Sequence, residues 1–237
     1  MTSSDDTPRL LQPLPDRTVD RSAAYEALLR SLLDFVGVES PAADEPGVQS
    51  NWRHRARREI GKAVTRHAME ASEAAPVPEE WFAPLLRAAV HEPDPSLNRQ
   101  LVEPLVAAYG LRRVQLALIA YLDAGSAPDA AGAARAWYWT HRARSYPRGS
   151  NTPAPSSVTT QEALSELSRR YRHIALRRFI TEDDLHLRRC ILPGLPLDPR
   201  LYPDTMHDLV TQAVQIARTS PDDYLRHRVE IQVALRS

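Results

Sequence analysis

One cysteine, one lysine, eight glycines and 6% aromatic residues in a chain of 237 set the first limits on what this protein can be. Cys190 has no second thiol for a disulfide or a CxxC pair, which excludes a disulfide-stapled scaffold and fits a reducing compartment. It sits in the apolar string Cys190-Ile191-Leu192, where a buried, inert thiol is the ordinary reading. So few glycines leave no phosphate-cradling loop, no G-x-S-x-G elbow and no kinase or dinucleotide-binding signature. With aromatics scarce, Leu, Ala, Val and Ile supply most of the 43% hydrophobic content, and that mixture favours helices over strands.

An excess of one charge is missing too. Thirty basic and thirty acidic side chains cancel, so the whole-molecule field draws the chain neither to nucleic acid nor to an anionic membrane, and any such binding needs a local patch. Apart from Lys62 every basic residue is arginine, a bias that speaks of a GC-rich genome more than of chemistry. Nowhere do about 18 apolar residues run together, which excludes a membrane-spanning helix. The first residues carry Asp5, Asp6, Pro8, Pro13 and Pro15 where a signal peptide needs an unbroken apolar core, so a cytoplasmic location is expected.

What is present is helical periodicity. Residues 1–17 are polar and proline-punctuated and read as a disordered tail. Tyr25, Leu28, Leu29, Leu32, Leu33 and Val36 recur at helical steps from about Asp20, with Gly37 as the stop. A second helix, from about Asn51 to Glu73, buries Ala56, Ile60, Ala63 and Val64 and carries Arg55, Arg58, Lys62 and Arg66 along its other side. These two helices make an N-terminal helical cap over residues 18–75.

Beyond it a pattern repeats, in which an aspartate at a helix start precedes apolar and basic residues. Copies begin at Asp94, Asp129, Asp184 and Asp222, spaced about 35 residues between the first two and about 38 between the last two. An acid there complements the helix N-terminal dipole, and the orphan amides of the first turn need a side-chain acceptor. Each copy has an apolar helix upstream: Trp81 to Val90, Val114 to Leu122, Leu164 to Ile180 and Leu209 to Ala217. Gly110 and Gly125 follow apolar runs where C-terminal caps are useful. Pro84, Pro104 and Pro193 fall inside apolar runs and are predicted to kink or end their helices.

These residues resemble HEAT-like helical repeats, in the Arg/Ala-rich wording common among actinobacterial repeat proteins. The resemblance covers about residues 79–142 and 160–235, within helical-repeat regions at 76–142 and 159–237 that a Pro/Ser-rich linker or long loop at 143–158 separates; the second copy departs from it where Gly132-Ala133 replaces Leu-Arg. It implies an all-α fold of antiparallel helix pairs stacked as a short α-solenoid, and a non-enzymatic adaptor or scaffold that binds a protein partner. It also implies an alternative, nucleic-acid binding, since some HEAT-like proteins are DNA glycosylases.

No residue set commits the chain to a reaction, so no catalytic residue, metal or cofactor is assigned. His67 with Glu70, and Asp204 with His207 and Asp208, lack the dense ligand spacing of a metal site. Asp183 and Asp184 are explained as helix-start acids. A ligand-binding or catalytic site formed only in three dimensions stays open.

The candidate partner-binding residues are surface cations and one aromatic. In Arg135-Ala136-Trp137-Tyr138-Trp139-Thr140-His141-Arg142 three adjacent aromatics cannot share one helical face, so at least one reaches a groove or the surface. Ala130, Ala133, Ala136 and Trp137 form the packing face, which leaves Trp139 near Arg135 and Arg142: a composition suited to a protein hot spot or to stacking a base. The second candidate set is the stripe Arg55, Arg58, Lys62 and Arg66, for phosphates or an acidic partner. A weaker cluster comprises Arg169, Arg170, His173 and Arg177, where Glu166 and Arg170 have the four-residue spacing of an ion pair.

Overall fold

A chain of short helices must satisfy four backbone donors and four acceptors at each helix end, and the way it does so here begins with aspartate. In the computed structural model, which describes residues 18–42, 51–72, 75–94, 96–143 and 158–234, ten α-helices and no strand are found among the described residues. The expected tail at 1–17 and all but the ends of the expected linker at 143–158 lie outside them. The helices are α1 (Thr18–Phe35), α2 (Trp52–Glu70), α3 (Phe82–His91), α4 (Arg99–Tyr109), α5 (Leu111–Ala124), α6 (Ala127–Ala143), α7 (Val158–Thr181), α8 (Leu185–Ile191), α9 (His207–Thr219) and α10 (Asp223–Ala234). The fold is all-α, as the periodicity predicts.

Three of the four repeated aspartates stand at a helix start, and Asp94 stands in the turn that precedes one. Asp184 caps α8 by accepting from Leu187 N at 2.6 Å, and Asp222 caps α10 by accepting from Leu225 N at 3.0 Å. Asp129 and Ser126 form a reciprocal capping box on α6, with Asp129 accepting from Ser126 N at 3.1 Å and Ser126 Oγ accepting from Asp129 N at 3.4 Å. Asp94 accepts from Ser96 N at 2.8 Å and sets the turn that leads into α4. At the other ends, Gly37 (φ +71°) closes α1: Val38 N donates to Leu33 O at 2.9 Å and Gly37 N to Asp34 O at 3.1 Å, the paired bonds of a Schellman cap. Gly110 (φ +83°) stops α4 with its N donating to Val106 O at 3.0 Å.

The described chain forms two units. In the first, up to Val114 with residues 139–143, α1 packs on α2 and α3, and α4 packs on α2 and α3. Its core is the face read from the sequence: Tyr25, Leu29, Leu32 and Leu33 of α1, Ala56, Ile60, Ala63 and Val64 of α2, then Leu85 and Ala88 of α3 and Leu101 and Leu105 of α4. In the second, 115–138 with 158–234, α7 packs on α8 and α9, and α10 packs on α8 and α9. Here Trp137 of α6 lies flat on Tyr171 of α7, with centroids 4.2 Å apart and planes at 3°.

The three prolines behave differently. Pro193 ends α8, which passes into a 3-10 turn at Leu192–Gly194. Pro84 breaks nothing, because it is the third residue of α3, where the backbone N–H has no intrahelical partner. Pro104 sits inside α4, which runs on through it. Its missing N–H deprives Gln100 O of a helical donor, and α2 approaches there: a Cβ on Gly61 would stand 2.7 Å from Gln100 O and 3.2 Å from Pro104 Cγ. Glycine at 61 therefore lets the α2 and α4 backbones meet.

Two predictions follow from the caps and the crossing. In Gly61→Ala the methyl group meets backbone that cannot yield, at a cost of about 1–3 kcal/mol for overpacking against about 1 kcal/mol gained in helix propensity. A melting temperature several degrees lower is expected, and an unchanged or higher one would refute the close-crossing account. Separately, Arg189 beside Asp222 holds that carboxyl below the usual carboxylate range, helped by the Leu225 N–H. The unfolded chain thus takes up this proton before the folded one, so the contribution is complete above the unfolded value near pH 4 and is lost as pH falls through the lower folded value. Asp222→Asn, which keeps an acceptor for the cap, should flatten the acid limb of a stability-versus-pH curve.

Candidate functional site

The α2 stripe is less one-signed than its spacing suggests. Arg58, Lys62 and Arg66 are exposed, but Glu59 on the same helix holds Lys62 at 2.9 Å and Arg58 at 3.4 Å. Those two cations pull the Glu59 carboxyl below its ordinary range, Lys62 first. Arg55 is half-buried and donates to Ala42 O at 2.8 Å. An incoming phosphate meets a partly neutralised face, with Arg66 its least committed cation.

Of the three adjacent aromatics on α6, the one that reaches the surface is Tyr138, 49% exposed, while Trp137 is buried and Trp139 half-buried. Trp139 lies under the Arg99 guanidinium, 5.6 Å from the ring centroid, and so meets a cation from α4 within the first unit. Arg135 is half-buried in the second unit. Arg142 belongs to the last turn of α6, and its side chain lies outside the described residues.

On α7, Glu166 pairs with Arg169 at 2.5 Å and not with Arg170, a correction to the expected four-residue pair. The three-residue partner is an equally close neighbour on a helix surface. Arg170, Arg172 and Arg177 have no ion pair among the described residues, and Arg172 is half-buried. His173, 6.0 Å from the Tyr202 ring, has its pKa lowered by burial and then by Arg172 and Arg177. His67 packs edge-on to Trp81 at 4.7 Å, and His207 lies 3.6 Å from Asp204; no group of three or more potential ligands that could hold a metal ion occurs among the described residues. No helix among them is long and apolar enough to cross a membrane.

The strongest polar constellation escaped the sequence reading. In the first unit Arg57 of α2 and Glu92, just past α3, form an ion pair of 2.5 Å with side chains 3% and 2% exposed. Around it the bonds run in sequence: His54 Nδ1 accepts from Gln100 Nε2 at 3.2 Å, Gln100 Oε1 from Arg57 Nε at 3.3 Å, and Glu92 Oε1 from Asp94 N at 2.9 Å. Tyr25 donates to Ala88 O at 3.1 Å; burial, and then the Glu92 charge, push its phenol well above the usual tyrosine range, so it remains a donor. Arg21 Nη2 donates to His91 Nδ1 at 3.0 Å. Four helices and the α3–α4 turn thereby share one network.

Chemically this network positions rather than reacts. Its carboxylate is bonded to a guanidinium and a backbone amide, its tyrosine is locked in the protonated form, and it presents no activated nucleophile. Asn98, in the α3–α4 turn, is fully buried, and neither of its amide atoms has a hydrogen-bond partner among the described residues. The sequence carried only one hint, Glu92 following directly on an apolar helix. Arg57 stands between Arg55 and Arg58, and one-dimensional periodicity puts it merely at the edge of the apolar face.

No family model matches the chain, and neither a curated protein nor a solved structure shows significant similarity to it.

Removing one partner from a buried pair strands the other, so Arg57→Met alone or Glu92→Gln alone should each lower stability by about 3–5 kcal/mol. Arg57→Met combined with Glu92→Leu should recover most of that loss in urea unfolding. A double variant as unstable as the singles would show that the wider network, and not the ion pair, sets the cost.

Proposed function

We propose that this chain is a HEAT-like helical-repeat scaffold that binds a protein partner. One observation carries the reading: the helix contacts follow the same order within each of the two units. Taking four helices in chain order, the first packs on the second and third, and the fourth packs on the second and third, in α1–α4 and again in α7–α10. That is the neighbour pattern of two stacked helix pairs, each supporting only the next, and it suits repeat proteins, whose exposed faces grasp other chains. On this reading α1 and α2 take the same place as α7 and α8, so the cap expected over 18–75 is itself a repeat pair.

The surface of the second unit supports a protein partner. Tyr224 and Ile231 lie seven residues apart on α10 and are 43% and 39% exposed, opposite the buried pair Leu225 and Val229. An aromatic and a branched aliphatic held on a rigid helix are the residue types that anchor interfaces.

One observation favours nucleic acid instead: Arg170 and Arg177 are exposed on a single helix and have no ion pair among the described residues. Two measurements separate the readings. The immobilised full chain should retain a protein from its host lysate in 0.15 M salt, and Tyr224→Ser with Ile231→Ser should lose that protein without altering the thermal melt. If the double variant retains it as well as the parent, α10 is not the contact surface. A labelled 20-nucleotide duplex should bind weakly; sub-micromolar affinity that falls steeply with salt and disappears in Arg170→Ala/Arg177→Ala would replace the protein-binding reading with the nucleic-acid one.

A further inference from the structure

A surface helix ordinarily turns one apolar side to the core and a polar side to water, but α10 carries apolar residues on both. Leu225 and Val229 are buried within the second unit. On the other side Tyr224, His227, Ile231 and Ala234, all exposed, recur at steps of three, four and three residues. Those are the a and d positions of two heptads, the spacing that forms a seam between helices.

The charges that border this seam are sorted by sign. With Tyr224 at an a position, Arg228 takes the e position on one edge, and Asp223 and Glu230 take g positions on the other. Arg228 is half-buried and has no ion pair among the described residues. Asp223 pairs with Arg226, and Glu230 with Arg218 at 2.7 Å. The two acidic side chains are 94% and 58% exposed, so these surface pairs hold them loosely and leave oxygens for another cation.

That sorting selects the occupant. Between two parallel helices each e position faces a g position of the neighbour, which sets Arg228 of one copy against Asp223 and Glu230 of the other. Between antiparallel helices e faces e and g faces g, which sets arginine against arginine and acid against acid. The face is therefore complementary to itself about a two-fold axis that runs along the helix.

We infer that α10 is a self-pairing surface, along which two copies of this chain meet in parallel through Tyr224, His227, Ile231 and Ala234, with Arg228 of each reaching the acidic edge of the other. The inference rests on the reading of Tyr224 and Ile231 as a protein contact and names a second copy as the partner. Because α10 has 12 residues, the seam is only about 18 Å long, and the dimer is expected to fill between about 10 and 500 µM chain, as befits a small interface.

The test is sedimentation equilibrium of the full chain. The mass of the parent should rise from one chain toward two over that range, and Tyr224→Ser with Ile231→Ser should stay at one. Arg228→Glu, and separately Asp223→Lys with Glu230→Lys, each put like charges across the seam and should be monomeric alone, whereas an equimolar mixture of the two variants should dimerise. Orientation is read in Cys190→Ser with Ala234→Cys, which should oxidise to a disulfide-linked dimer, since a parallel seam lays the two 234 positions side by side. A parent that is monomeric at 500 µM, a mixture of folded variants that stays monomeric, or 234 positions that do not cross-link would overturn the inference. If the lysine variant melts early and cannot be used, the parent series and the cross-link still decide. A monomeric parent that retains a lysate protein through Tyr224 and Ile231 removes self-pairing and leaves the scaffold reading standing, while a dimer that retains none supports self-pairing and removes a separate partner.

Discussion

Every helix end exposes backbone groups that need partners, and short helices have many ends for their length. The described residues hold ten helices, of which α8 has only 7 residues and α3 only 10, so a large share of the backbone lies within a turn of a terminus. Nucleation is costly and such helices do not persist alone, so both end-capping and packing have to stabilise them. Asp184, Asp222 and the Ser126–Asp129 box do this at N-termini, and Gly37 and Gly110 at C-termini. Asp222 does more than cap: its ion pair with Arg189 ties the start of α10 to α8, joining a local device to tertiary structure.

In the first unit the same economy of parts leads to a closer coupling between backbone and side chains. Pro104 withholds a donor from Gln100 O, and Gly61 brings α2 against that carbonyl. One turn earlier on α2, Arg57 turns inward, where Gln100 Oε1 and Glu92 receive it. Backbone approach and buried charge thus lie together on the α2–α4 contact. A guanidinium and a carboxylate removed from water gain little net stability over an apolar pair, but they tolerate few alternative packings, because any shift that parts them strands a charge. The network therefore specifies which arrangement of helices forms more than it adds to how stable that arrangement is.

The sequence revealed what is local and periodic. Helix positions followed from the recurrence of Leu28, Leu29, Leu32 and Leu33, the buried face of α2 from Ala56, Ile60, Ala63 and Val64, and the helix starts from aspartates whose function is complete within three residues. What it hid depends on partners far along the chain. Arg57 meets Glu92 across 35 positions and Arg99 covers Trp139 across 40, and nothing in the wording around either arginine distinguishes it from its exposed neighbours. The surface aromatic shows the limit of periodicity: it rightly required that Trp137, Tyr138 and Trp139 not all be buried, but which one emerges depends on what Tyr171 and Arg99 cover. The same limit explains Pro84 and Pro104, which look alike in sequence and differ because one falls in a first turn and the other mid-helix.

The segment between α8 and α9 reverses the logic of the rest. From Leu192 to Met206 the backbone makes only 3-10 turns, so its carbonyls cannot satisfy one another as helical ones do. Side chains take over: Tyr202 donates to Pro196 O at 2.7 Å, Gln232 to Leu192 O at 2.8 Å, and Asp198 accepts from Arg200 N. Pro193 and Pro196 remove donors without removing acceptors, so side-chain donors such as Tyr202 and Gln232 have to make up the difference.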